Sequence, residues 1–284
     1  MTVSAWQQSH AYAAGTVVKP TVDNGFCYVC STAGTSASSE PAWGTRWPAI
    51  TDGGAAWAPY TVITPQQLRD VQGWDASDGR YSDTILGNML VDAVGVLEHE
   101  TRRFFVDKPG RTLTWTSMLR ATLPIPGLRT AATNGIVYAG TTLDTSGYWL
   151  QPDSQQTGVS TSIQFRAFRS SDSGPWWLAD PLWFDKALDS PFNPGNYGGG
   201  YVFTSMPNDT SITGDWGYEP GFEPGPFVRA LRVLASFDQQ RPTALLADSV
   251  ITPQGGVLAF SQMPAEVRDF IAAWNSGPQV VSIG

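Results

Sequence analysis

The sequence predicts an α+β protein. A small β module is expected over residues 1–60, followed by a helical domain over 61–284 that is interrupted by a β-sandwich-like insertion at 111–217. Three observations carry this. Residues 1–60 are aromatic-rich and broken by turn-forming pairs, with almost no helical periodicity. Helical apolar spacing then appears at 64–73 and 82–105 and returns at 226–238 and 264–274. Between these pairs the pattern changes to short alternating or continuously apolar runs.

In the first module, Trp6, Tyr12, Val17, Val18, Phe26, Tyr28, Cys30, Trp43, Trp47 and Trp57 mark short segments. Asn24-Gly25, Gly34-Thr35-Ser36 and Asp52-Gly53-Gly54 separate them, because Gly and Asn accept positive φ at little cost. Three or four strands are expected. Cys27 and Cys30 are the only cysteines, and His10 and His99 the only histidines. A tetrahedral zinc site needs four ligands, and no second CxxC is present. The alternation Phe26-Cys27-Tyr28-Val29-Cys30 points the two thiols to opposite faces of a strand. Two buried, reduced cysteines in a reducing cytoplasm are therefore expected, with no metal and no cofactor.

Thr64, Pro65 and Gln67 announce the next element. Thr64 caps, Pro65 takes the first helical position and Gln67 completes a capping box. Ser82-Asp83 opens the longest helix, whose apolar positions Ile85, Leu86, Met89, Leu90, Ala93, Val94, Leu97 and Phe104 follow i, i+3, i+4 spacing. Asn88, Asp92, Glu98 and Arg102 are expected on its polar side. From Arg111 the period shortens. Strands are expected around Leu113–Trp115, Gly135–Gly140, Tyr148–Leu150, Ile163–Phe168, Tyr201–Phe203 and Thr210–Ile212, with an extended loop carrying one strand over 171–200. Trp216-Gly217 reads as a tight turn, after which Pro226 opens a helix with Val228, Leu231, Val233, Leu234 and Phe237 on its apolar side. The last helix has Val267, Phe270, Ile271 and Trp274 on one face.

Composition narrows the function. The formal charge is −8 and the lysines number three, at 19, 108 and 186. Arg102-Arg103 and Arg166/Arg169 are the compact basic groupings. Sequence-specific nucleic-acid binding, which rests on neutralising phosphates, is not expected. Met1 to Val18 lacks a basic start followed by an apolar run, so no signal peptide is expected, and no apolar stretch approaches the ~20 residues that span a bilayer. No GxSxG, HExxH, P-loop, dinucleotide-binding or EF-hand pattern occurs. Paired carboxylates could in principle serve glycoside hydrolysis, with Glu219 and Glu223, or Asp180, Asp185 and Asp189 around Trp183, as candidates. The reading preferred is a protein that is not an enzyme.

Two resemblances sharpen this. The pattern Trp6…Tyr12-x-x-Gly15-x-Val17-Val18…Tyr28-x-Cys30…Gly34-Thr35-Ser36…Glu40-Pro41-x-Trp43…Thr51-Asp52-Gly53…Trp57 resembles the chitin-binding type 3 carbohydrate-binding modules of family 5/12. That resemblance implies aromatic stacking on sugar rings by Trp43, Trp47 and Trp57, with Tyr28 weaker. The competing reading is that large aromatics simply build a small core.

Residues 62–284 resemble the head–tail connector (adaptor) proteins of tailed bacteriophages. The likeness is carried by Glu98-x-x-Thr101-Arg102-Arg103-Phe104, Leu123-Pro124-x-Pro126, Gly214-x-Trp216-Gly217 and Met263-Pro264-x-x-Val267. It implies a homo-oligomeric ring in the virion neck, commonly of twelve copies, docked beneath a portal protein. A tail-side stopper or tail-terminator protein would lie on the other side, and double-stranded DNA would pass through the lumen without sequence-specific binding. Helices 82–105 and 226–238 would pack subunit against subunit. Interface candidates are Arg102 and Arg103 together with Val280, Val281 and Ile283 of the polar tail, which is expected to order on the portal. The alternative is a glycan-binding protein or carbohydrate-active enzyme, possible surface glycan included, acting through the first module.

Overall fold

The computed structural model describes residues 3–115, 122–138, 141–145, 148–152, 158–165, 210–240, 249–251, 257–259, 263–275 and 281–282. The fold is α+β. It divides into two compact units, one made of residues 1–109 and 217–277, the other of 110–216 and 278–284. The expectations for Trp176, Trp177, Asp180, Trp183, Asp185, Asp189, the 198–200 glycine run and the strand at 201–203 lie outside the described residues.

The first unit begins with β1 (Ser4–Ala5), β2 (Ala11–Tyr12), β3 (Val17–Lys19), β4 (Tyr28–Thr32), β5 (Gly34–Thr35), β6 (Ile50–Asp52) and β7 (Ala55–Pro59). Five of them form a sheet in the order β1-β3-β4-β7-β6, and β2 pairs separately with β5. This exceeds the three or four strands expected. The extra ones are two residues long, too short for alternation to register in sequence. Trp6, Tyr12, Val18, Tyr28, Cys30, Ala55 and Trp57 form the core. At its centre the buried Asp52 carboxylate accepts indole N–H bonds from Trp6 (2.8 Å) and Trp57 (2.9 Å) and the Ala37 amide (2.8 Å). A buried charge is tolerable only when so satisfied.

Helix α1 (Pro65–Gln72) has the expected capping box, with both Thr64–Gln67 bonds made, and ends at Gly73 in the left-handed region (φ 68°). Arg69 is buried and reaches the Tyr81 carbonyl (2.8 Å) and the Asp83 carboxylate (2.6 Å) at the start of the next helix. Helix α2 (Asp83–Thr101) is capped by Ser82 and ends at Thr101, four residues before the expected end, with Arg102 as its C-cap. Arg102 turns left-handed at φ 55°, and the Arg103 amide donates back to the Glu98 carbonyl at 3.2 Å. Leu86, Leu90, Ala93, Val94 and Leu97 are buried as the spacing requires, while Ile85 is 40% exposed and Phe105, not Phe104, enters the core.

Helices α3 (Gly225–Gln240) and α4 (Ala265–Trp274) follow within two residues of expectation. Ser249–Ile251 (β14) and Val257–Ala259 (β15) pair as an unexpected antiparallel hairpin between them. The helical layer closes on aromatic rings. Phe105 stacks on Phe227 (centroids 4.4 Å apart) and meets Phe270 (5.5 Å) and Trp274 (5.4 Å).

The second unit is one sheet among the described residues. Its strands are β8 (Lys108–Trp115), β9 (Thr122–Tyr138), β10 (Thr141–Leu143), β11 (Tyr148–Pro152), β12 (Ser160–Phe165), β13 (Thr210–Trp216) and β16 (Val281–Ser282), in the order β11-β12-β9-β13-β8-β16 with β10 on β9. Of the segment expected at 135–140, residues 135–138 belong to the single long strand β9, which runs back to Thr122. Thr122 to Leu128 pair with β12 and Leu128 to Tyr138 with β13, so neither partner accounts for its whole length. Strand β13 alternates buried and half-buried residues, with Ile212 and Trp216 inward. Trp216 donates its indole N–H to the Arg111 carbonyl at 2.8 Å and packs 5.8 Å from Trp115.

Candidate functional site

The chain leaves the helical layer after α2 and re-enters it before α3, and both passages are fastened at one place in the first unit. The carboxylate of Glu98, in the last turns of α2, accepts the amides of Phe105 (2.8 Å) and Val106 (3.0 Å). Its other oxygen lies 3.4 Å from the Lys108 ammonium, and both side chains are about nine-tenths buried, at 10% and 9% exposure. Lys108 in turn lies over the Phe26 ring at 5.2 Å. Glu98 is therefore an inward anchor, not part of the polar side assigned to it by spacing. The cause is the early helix stop. Turning the chain at Arg102 leaves two amides facing back, and a carboxylate one turn upstream satisfies them.

The returning chain passes against the same spot. Gly217 has φ 77°, and a Cβ there would stand 2.3 Å from the Val106 carbonyl oxygen. The Tyr218 amide donates to the Phe105 carbonyl at 3.4 Å, and its ring stacks on Phe105 at 6.3 Å. Arg103 lies over the Trp274 ring at 5.5 Å. Thr101, fully buried, donates its hydroxyl to the Leu97 carbonyl (2.6 Å), and Val267 is buried in the same unit. Residues from three segments far apart in sequence, 98–105, 217–218 and 270–274, thus meet around Phe105.

The N-terminal module meets the rest of the first unit at several further points. Trp47 lies on α2 where Gly87 has no side chain, and a Cβ there would come within 2.4 Å of the indole. The Trp47 amide donates to Asn88 Oδ1 (3.0 Å), Asn88 Nδ2 donates to the Trp47 carbonyl (3.3 Å), and Arg46 pairs with Asp92 (2.6 Å). The Trp47–Pro48 peptide is cis. Cys27 Sγ reaches the Asp107 carbonyl (3.6 Å), and the Tyr60 hydroxyl donates to Glu223 (2.7 Å). Between the module and α2 a groove of about 620 Å³ is bounded by Phe26, Arg46, Val91, Asp92, Gly95 and Lys108.

The four aromatic residues expected to stack on sugars lie as follows. Tyr28 and Trp57 are fully buried in the module core. Trp43 is half-buried, 4.4 Å from Tyr28 and 5.9 Å from Trp57, with its indole N–H on Glu40 (2.8 Å). Trp47 faces α2. Arg102 is exposed and Arg103 half-buried against Trp274. Val281 belongs to β16, whose backbone pairs with Trp115 and Thr114 of β8. Two residues of the tail expected to order on a partner are thus paired within the second unit, while Val280 and Ile283 lie outside the described residues.

Among the described residues the chemistry available is sparse. Neither Cys27 nor Cys30 is in a disulfide and both are buried, and burial pushes the Cys30 thiol up, away from the reactive thiolate. His99 is exposed beside Glu100, and His10 packs edge-on to Tyr12 at 4.7 Å. Glu223 is pushed up by burial despite bonds from Tyr60 and the Gly221 amide, and Tyr60 is pushed up by burial and the adjacent carboxylate. That is an anchored pair tying the module to the loop before α3, with no second carboxylate placed opposite it by these contacts. Among the described residues no group of three or more His, Cys, Asp or Glu side chains could hold a metal ion, and no helix is long and apolar enough to cross a membrane.

No protein-family model matches the chain, and no curated protein matches it. Among solved structures, a chain from "Neck of empty GTA particle computed with C6 symmetry" is similar, with a TM-score of 0.40 and 16% identity, covering 78% of this chain and 92% of that chain.

Proposed function

We propose that the chain is a structural subunit of the neck of a tailed-phage-like particle, a head–tail connector that acts by assembly and not by catalysis. The observation that carries the reading is the convergence around Phe105. Glu98, Arg103 and Gly217, which belong to two of the four motifs that carry the connector resemblance, gather beside Phe105, whose ring meets Phe270 and Trp274 of α4. Packed rings and satisfied backbone groups of this kind suit a scaffold; a catalytic constellation would instead converge polar groups on an open pocket.

In this reading the subunits form a closed ring, twelve in the connector pattern, between a portal protein and a tail-side stopper or terminator. The acidic chain, at −8, lets DNA slide through the lumen without sequence-specific contacts. The N-terminal module belongs to the scaffold. Its aromatic rings are taken up by its own core and by α2, which supports this role over glycan binding.

Particles produced without this chain test the proposal. Filled heads and separate tails that fail to join are expected. Complete, infectious or DNA-delivering particles would contradict it.

A further inference from the structure

The linker between module and helices is short and strained. Strand β7 ends at Pro59 and α1 begins at Pro65. Between them Val62 has φ 68°, a left-handed conformation that a β-branched side chain resists. The Ile63 amide donates to the Thr61 carbonyl at 2.7 Å and the Thr61 hydroxyl to the Ile63 carbonyl at 2.8 Å, closing a three-residue turn of γ type. Glycine would take this φ freely, yet the position holds valine.

The contact this turn enforces is self-contained. The Trp47 loop meets α2 through a shape match at Gly87, two bonds with Asn88 and the Arg46–Asp92 pair. The same contact can be made by another copy with identical surfaces, and only the linker differs between the two arrangements. A short hinge under strain favours the arrangement that opens it.

We infer that, in the assembled protein, the α2 face at Gly87–Asp92 receives the Trp47 loop of a second copy, so that neighbouring subunits exchange N-terminal modules. The exchange links each subunit to the next without any new surface. It rests on the multi-copy reading above.

The test uses the full chain carrying Arg46→Cys and Asp92→Cys, joined with a short bismaleimide. Cys27 and Cys30 are each 1% exposed and do not compete. Covalent species of two or more chains are expected, increasing with protein concentration. Adding Val62→Gly relaxes the closed turn and should reduce them at least two-fold. Thr45→Cys with Gly95→Cys, across the groove that both residues line, is the second pair, and it leaves Arg46–Asp92 intact. A ring whose links are all within single chains overturns the exchange but leaves the ring reading standing. A chain that never forms a multi-copy assembly overturns both.

Discussion

The Trp47 indole lies where the side chain of residue 87 would be: a Cβ on Gly87 would stand 2.4 Å from the ring. Glycine in mid-helix lowers helix stability relative to alanine, and at position 87 the Trp47 ring supplies the packing reason for it. Gly87→Ala should therefore destabilise the protein despite the gain in helix propensity. Overpacking of this kind costs about 1–3 kcal/mol. Urea unfolding of the full chain checks this, and Gly95→Ala, at an open position of the same helix, should instead be neutral or stabilising.

Asp52 holds two indoles and one amide at the centre of the module. Asp52→Ala leaves the buried Trp6 and Trp57 N–H groups without acceptors, at about 1–3 kcal/mol for each group orphaned. Tryptophan fluorescence during denaturation should show the module's transition moving to lower denaturant.

At the insertion root, Lys108 is buried against Glu98. Glu98→Ala strands a buried ammonium and two amides, and a loss of about 3–5 kcal/mol is expected. Glu98→Ala with Lys108→Met should recover part of that loss, because the uncompensated charge is gone. A double-mutant cycle reads the coupling.

Glu223 supplies a pH signature. Burial raises its carboxyl above the ordinary glutamate value. The folded state then holds the proton more tightly than the unfolded chain. Its stabilising contribution is complete below the unfolded pKa, about 4.3, and is lost as pH rises through the folded value. Glu223→Gln keeps an acceptor for Tyr60 and should flatten this part of the stability–pH curve, gaining on the parent as pH rises. An unchanged slope in thermal unfolding between acid and neutral pH would refute the assignment.

The module's rings predict a negative result with a sharp reversal. With Tyr28 and Trp57 buried and Trp47 on α2, the chain should not be retained on chitin beyond background. Retention abolished by Trp43→Ala would restore the glycan reading.

Sequence patterns revealed the elements whose signals are local. The Thr64–Gln67 box, the Ser82 cap and the apolar spacing of α2 act within one or two turns, and each is found where spacing puts it. The two-residue strands of the module and the three-residue strands β14 and β15 are not legible, since each is too short for alternation to register. Glu98 was misassigned for the same kind of reason. Helical periodicity places it outward, and only the left-handed stop at Arg102 brings the amides of Phe105 and Val106 back to it. Arg102 being neither Gly nor Asn, that stop had no residue-type signal. The docking of Trp47 on Gly87 joins positions forty residues apart, and Gly87 is one of two mid-helix glycines that sequence alone does not tell apart.

Electron microscopy of the native particle containing this chain tests the central claim most directly. The account predicts a closed ring of this subunit lying coaxially between a portal and a tail component. Single copies scattered on fibres or a baseplate, or a chain belonging to no particle, would contradict it.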